Sequence, residues 1–120
     1  MDKIETGTIV LLEFPFTDSI GYKRRPALVL KDFEDGDMLV CRITSKIYKS
    51  KYDIYLDDWS NFGLKLPSVV RVHKMATLEK NMIVTIMGQI DETVLSKVKL
   101  LYMSIIQNKN NKYESSIYSL

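Results

Sequence analysis

Two dipeptides constrain this chain more than anything else in it: Arg25-Pro26 at the mouth of an apolar run and Asp35-Gly36 at its far end. A proline ring disfavours the helical region for the residue before it, so Arg25 is extended at a strand entrance. Asp-Gly is a tight-turn pair, and β-rich runs flank it, so Ala27 to Phe33 and Met38 to Thr44 read as a hairpin. The end of the second strand returns to the start of the first. Thr44 and Ser45 therefore come beside Arg25, although they are distant in sequence. Cationic and hydroxyl groups gathered at the rim of a buried sheet suit a phosphate.

The chain has 120 residues, 46% of them hydrophobic, which is enough for one domain with its own core. Lys and Arg number 17 against 15 Asp and Glu, and the formal charge of +2 is weak support for a polyanionic partner. The distribution says more. Lys23, Arg24, Arg25, Arg42, Lys46, Lys49 and Lys51 surround the rim, whereas Asp32, Glu34, Asp35 and Asp37 sit at the opposite hairpin turn. That acidic group lacks the spacing of a calcium loop and reads as a solvated turn. Cys41 is alone, which rules out an internal disulfide, fits a reducing compartment and reads as a packed thiol. With one Cys and one His, a zinc site of the usual ligands cannot be assembled within one chain. Met1 to Thr8 is charged without an apolar segment, and no run is long enough to span a bilayer. No signal peptide, no membrane association and a cytoplasmic location are the expectations.

Along the chain, Thr8 to Glu13 reads as a strand and Phe14 to Tyr22 as a loop broken by Pro and Gly. Ser45 to Tyr52 is a basic loop, Asp53 to Leu56 a short strand, and Asp57 to Gly63 one helical turn closed by Gly63. Pro67 opens another strand, with Val70 and Val72 on one face and Arg71 and His73 on the other. Met82 to Gln89 is a further strand. One helix starts at Asp91, an N-cap residue, with Ile90 and Leu95 at staple positions. Its apolar stripe is Val94, Leu95, Val98, Leu101, Tyr102 and Ile105. Trp59 and Phe62 read as packing residues. From Gln107 the pattern breaks into a polar tail.

The run Gly7-Thr8-Ile9-Val10, then Phe14-Pro15-Phe16-Thr17-Asp18, Arg24-Arg25-Pro26-Ala27-Leu28-Val29 and Ile43-Thr44-Ser45, resembles the MazF/PemK (Kid) toxins of bacterial type II toxin-antitoxin systems. Gly63-Leu64, Pro67-Ser68-Val69-Val70-Arg71, Thr77-Leu78 and Gly88-Gln89-Ile90 follow in the family's order, so the match runs from about Thr6 to about Tyr102. The resemblance implies a mainly β (α+β) fold, an SH3-like barrel of antiparallel strands with a C-terminal amphipathic helix, working as a homodimer. The toxin domain would occupy residues 1–106 and the polar C-terminal tail residues 107–120. It further implies a ribosome-independent endoribonuclease that cuts single-stranded RNA, such as mRNA, at short sequences without metal or cofactor. A cognate antitoxin would neutralise it.

Metal-free RNA cleavage uses the substrate's own 2′-hydroxyl, so the protein must take that proton, stabilise charge on the phosphate oxygens and help the 5′-oxygen leave. Arg25 suits charge stabilisation, because its forked donors match phosphate oxygens and a guanidinium makes a poor base. Thr44 can donate a hydroxyl hydrogen bond to the same phosphate, and Ser45 can supply a second donor. Lys23, Arg24, Lys46 and Lys49 add attraction to the RNA backbone, with Thr17 from the first loop. By resemblance, Arg71 matches an arginine that PemK-like members use in acid-base work, and His73 falls where they carry an aspartate. Two readings of His73 stay open, a general base or a plain strand residue. Ser19 to Tyr22 replace the first-loop histidine of some members. Two rival functions share the architecture. A CcdB-like gyrase poison would act through its C-terminal helix and end, but such relatives carry a tryptophan near the terminus, and here the sole Trp is Trp59. A noncatalytic SH3-like module would use the basic rim to dock acidic peptides.

Overall fold

The computed structural model describes residues 2–15 and 21–107. Six strands form one antiparallel sheet: β1 (Thr8–Pro15), β2 (Tyr22–Asp32), β3 (Asp37–Thr44), β4 (Asp53–Tyr55), β5 (Val69–Glu79) and β6 (Ile83–Gln89). A 3₁₀ turn, Lys80–Met82, joins β5 to β6, and helix α1 (Glu92–Gln107) ends the described chain. The strand order is β4-β5-β3-β2-β1-β6. Among the described residues no helix is long and apolar enough to cross a membrane.

The sheet is buried on both faces, and its central strands read as continuous apolar runs for that reason. On one face Ile9, Leu28, Cys41, Ile43, Val70 and Val72 pack with Leu56, Phe62 and Leu64 beneath Leu95 and Val98 of α1. On the other, Val10, Leu12, Ala27, Val29, Met38 and Val40 pack with Ile4. Removing Leu95 and Val98 from water stabilises the docking of α1 by about 1.5–3 kcal/mol for each side chain. The helix starts as its sequence dictates: the Asp91 carboxylate accepts the Val94 N–H at 2.8 Å.

The outermost strands do not stay apart. After β4 the chain makes one helical turn, in which the Phe62 N–H donates to Asp58 O at 3.1 Å. Gly63 (φ 91°) then closes it with the paired bonds Gly63 N–H to Ser60 O and Leu64 N–H to Trp59 O, a Schellman ending. This turn lands on β6. A Cβ on Gly63 would lie 2.0 Å from Met87 O, and one on Gly88 would lie 2.0 Å from Phe62 O. The two glycines let backbone meet backbone, and the sheet closes into the SH3-like barrel.

Several expectations shift. Strands β1 and β2 take in both ends of the expected loop: Phe14 pairs with Lys23 and Pro15 with Tyr22, so the Lys23-Arg24-Arg25 run lies inside a ladder. Strand β5 continues well beyond His73, to Glu79. Asp32 is not part of a solvated turn. It is buried, and it accepts from Lys80 Nζ at 2.7 Å and from the Ile4 N–H at 2.8 Å. The Lys80 ammonium beside it, with the Ile4 and Glu34 amides, holds its carboxyl well below the usual carboxylate range. Glu34, Asp35 and Gly36 do stay exposed. Cys41 is packed, and burial pushes its thiol up to about 12. Phe62 is core, with Trp59 half-buried against it.

Candidate active site

Strands β2 and β3 pair as far as Ala27 opposite Arg42. Pro26 has no N–H to continue the ladder. The same register, carried two steps further, sets Arg25 against Thr44. Both line one cavity of about 280 Å³, together with Arg24, Ser45, Lys65 and Ser68. Thr44 is buried, and its Oγ1 accepts the Lys46 N–H at 3.2 Å. That bond holds the oxygen and leaves the hydroxyl its own hydrogen to donate. Larger cavities of about 640 and 690 Å³ lie by the acidic hairpin turn and along the N-terminal segment, and neither touches Arg25 or Thr44.

Alternation along the strands puts Arg25, Arg42, Thr44 and Arg71 on the face shared with Ala27 and Val40, opposite the helix-covered core. Arg71 lies directly across from Arg42 on one side and from Asp53 on the other. Its Nε donates to Asp53 Oδ1 at 2.8 Å, with the two side chains only 12% and 1% exposed. The Tyr48 ring lies over the guanidinium, 3.6 Å from its central carbon to the ring centroid. Arg71 is thus locked in orientation. Burial would raise the Asp53 carboxyl, but the hydrogen bonds from Arg71 and Ser50 outweigh it and hold the group below its ordinary value.

Between Cys41 opposite Met75 and Arg42 opposite Arg71, the β3–β5 register shifts, and Val72, His73 and Lys74 fall in the irregularity. Such bulges re-aim side chains. The His73 ring stacks on Tyr52 with centroids 4.8 Å apart, and its Nδ1 is buried without a partner among the described residues. Burial, then the charges of Arg71 and Lys74, push its pKa below the ordinary histidine value, with Asp53 opposing them. His73 is therefore neutral at physiological pH and able to accept a proton.

The expected residues separate into groups. Arg25, Thr44, Ser45 and Arg24 meet at the cavity, although Arg24 also pairs with Glu13 at 3.1 Å. Arg71 shares the face and His73 lies in the irregularity of β5 beyond it, and neither lines that cavity. Lys23 is exposed on β2, and Lys46 and Lys49 are exposed in the loop after β3, with Lys46 Nζ 5.0 Å from the Tyr48 ring centroid. Thr17 lies outside the described residues. Among the described residues no cluster of three or more His, Cys, Asp or Glu is placed to hold a metal ion. Reading the sequence missed Asp53, Tyr48 and Tyr52 as neighbours of Arg71 and His73. The signal for Asp53 was present in its place at the start of a short strand, but only the β4–β5 register reveals what it faces.

A family model described as the PemK-like, MazF-like toxin of type II toxin-antitoxin systems matches residues 5–105. Curated protein sequences give no match. Among solved structures, the chain is similar to a MazE–MazF crystal structure from Deinococcus radiodurans, with TM-score 0.74, 23% identity, and 88% of this chain and 98% of that one covered. It is also similar to an endoribonuclease in complex with its cognate antitoxin from a mycobacterial species, with TM-score 0.66, 15% identity, and 84% and 92% covered.

Proposed function

The chain belongs to the PemK-like, MazF-like toxins of type II toxin-antitoxin systems, and from that membership we propose that it is a metal-independent endoribonuclease acting on single-stranded RNA in the cytoplasm. The observation that carries the reading is the single cavity lined by Arg25 and Thr44, residues from two strands and distant in sequence. In this reading the scissile phosphate sits there. The Arg25 guanidinium takes two of its oxygens, and the Thr44 hydroxyl donates to one, with Ser45 as a further donor.

A base removes the 2′-hydroxyl proton, the 2′-oxygen bonds to phosphorus, and the bond to the 5′-oxygen breaks. The products are a 2′,3′-cyclic phosphate and a 5′-hydroxyl, the latter formed when the leaving oxygen takes up a proton. In this reading His73, uncharged and with its ring held by Tyr52, is the base, and because it does not line the cavity it takes the proton through a bridging water. Arg71, locked by Asp53 and Tyr48, adds positive charge on the same face. Lys23, Arg24, Lys46 and Lys49 attract the RNA backbone.

The partner in this reading is a cognate antitoxin, since two similar structures hold a MazE or an antitoxin with their toxin, and the active form is a homodimer. The deciding experiment incubates the purified protein with a long single-stranded RNA in excess EDTA and maps the ends. Discrete cuts leaving 5′-hydroxyls, lost in Arg25→Ala, are expected. Intact RNA overturns the proposal, and gyrase trapped on DNA would assign the chain to the poison class instead.

A further inference from the structure

Arg42 is the cation on this face that the reaction above does not use. It stands directly opposite Arg71 in the β3–β5 ladder, and like charges so placed repel. The acid of that row, Asp53, is already engaged by Arg71 Nε, by the Ser50 N–H at 2.9 Å and by the Ser50 hydroxyl at 2.6 Å. The Nε of Arg42 is buried and has no acceptor among the described residues. Lys46 first, then the charges of Arg42 and Arg71, hold the Tyr48 phenol below its ordinary value against the opposing effect of burial. A strand that sets two arginines face to face and leaves one without an acceptor is built for an anion that arrives from outside.

The position suggests which anion. Arg42 lies two residues before Thr44 on the same face of β3, a separation of roughly 7 Å along the strand. An extended single strand of RNA with one phosphate at Arg25 and Thr44 carries its neighbouring phosphate at a comparable distance. We propose that Arg42, flanked by Arg71, holds the phosphate adjacent to the scissile one and so governs RNA affinity more than the rate of bond breaking. This inference rests on the ribonuclease reading for its substrate.

The test measures binding of a short single-stranded RNA with methylated 2′-hydroxyls, which lacks the attacking group, across a range of salt. Arg42→Gln should weaken binding roughly tenfold or more, the loss expected for one charged hydrogen bond. It should also lower the slope of log affinity against log salt by about 0.7, the value for one phosphate on a single strand. Arg42→Lys should keep the slope with an intermediate affinity. In cleavage, Arg42→Gln should raise KM with a much smaller change in kcat, the reverse of Arg25→Ala. Its melting temperature should hold or rise, because a repulsion has been removed. If Arg42→Gln fails to fold, Arg42→Lys carries the comparison. Unchanged affinity and salt slope in Arg42→Gln, where the wild-type protein does cut RNA, overturn the Arg42 site alone. Loss of polyglutamate binding with RNA binding intact also overturns it, by assigning the arginine to an acidic protein. If the wild type leaves ordinary RNA uncut, the ribonuclease reading fails, and the methylated strand still decides whether Arg42 holds a phosphate.

Discussion

Arg25 and Arg71 carry the same charge, and their surroundings divide their work. Arg71 spends its Nε on Asp53 and its face on Tyr48, whereas Arg25 opens on a cavity beside a threonine whose oxygen is already fixed by the Lys46 amide. Replacing Thr44 by Val keeps the shape and removes the donor, so kcat should fall roughly a hundredfold or more, while melting temperature falls only by the few degrees that losing the Lys46 N–H bond costs. Steady-state kinetics beside a thermal melt checks this. His73 gives a pH dependence with a definite sign. Burial and the Arg71 and Lys74 charges depress its pKa, so the neutral base persists below the ordinary value of 6.5. Activity should therefore rise with pH along a limb centred below 6.5, and His73→Gln should abolish that limb. A wild-type limb centred at or above 6.5 would remove His73 from the role of base.

At the scale of elements, the hairpin of β2 and β3 and the turn onto β6 make the site possible. The hairpin brings Arg25 to Thr44; the turn closes the barrel that keeps their strands in register. Gly63→Ala would force a left-handed backbone on a residue with a Cβ and drive that carbon into Met87 O, while Gly88→Ala would strike Phe62 O. Either should cost at least ~2 kcal/mol in urea unfolding, and activity should fall with it. The hairpin was legible because Asp35-Gly36 and Arg25-Pro26 state their dihedral preferences within two residues. The helix was equally legible through Asp91 and its apolar stripe. The full length of β5 was not. Beyond His73 the stretch from Lys74 to Glu79 is mixed: only Met75 and Leu78 are half-buried against the core, and pairing with β3 holds the rest in the sheet.

For the whole molecule, acid is the stress that its charge network feels most. The folded pKa values of Asp32 and Asp53 are depressed from an unfolded value near 3.8, so their stabilisation is present above that pH and is lost as pH falls below it. His73 is also depressed, and below 6.5 the unfolded chain binds a proton that the folded one resists, so stability begins to fall there. The urea midpoint should accordingly decline slightly below pH 6.5 and steeply below about 4. Asp32→Asn should flatten the steep part and lower the midpoint at neutral pH, because Lys80 would be left buried without its counter-ion. The active assembly is a second matter at this scale. Sedimentation of the purified protein should give twice the chain mass of 13.9 kDa, and a monomer that still cuts RNA would dismiss the homodimer as a requirement.

The sequence by itself determined what local conformation and hydrophobic period can carry: the hairpin, the capped helix, the turn ending at Gly63 and the packed Cys41. It also brought Arg25 and Thr44 to one rim, since a tight turn leaves the ends of a hairpin little choice. Only the tertiary structure decided that Asp32 is buried on Lys80, that Asp53 faces Arg71 and that Arg42 opposes Arg71. Those contacts depend on strand register and on an irregularity between β3 and β5. Register is fixed by packing between segments far apart in the chain, and no short run of residues contains that information.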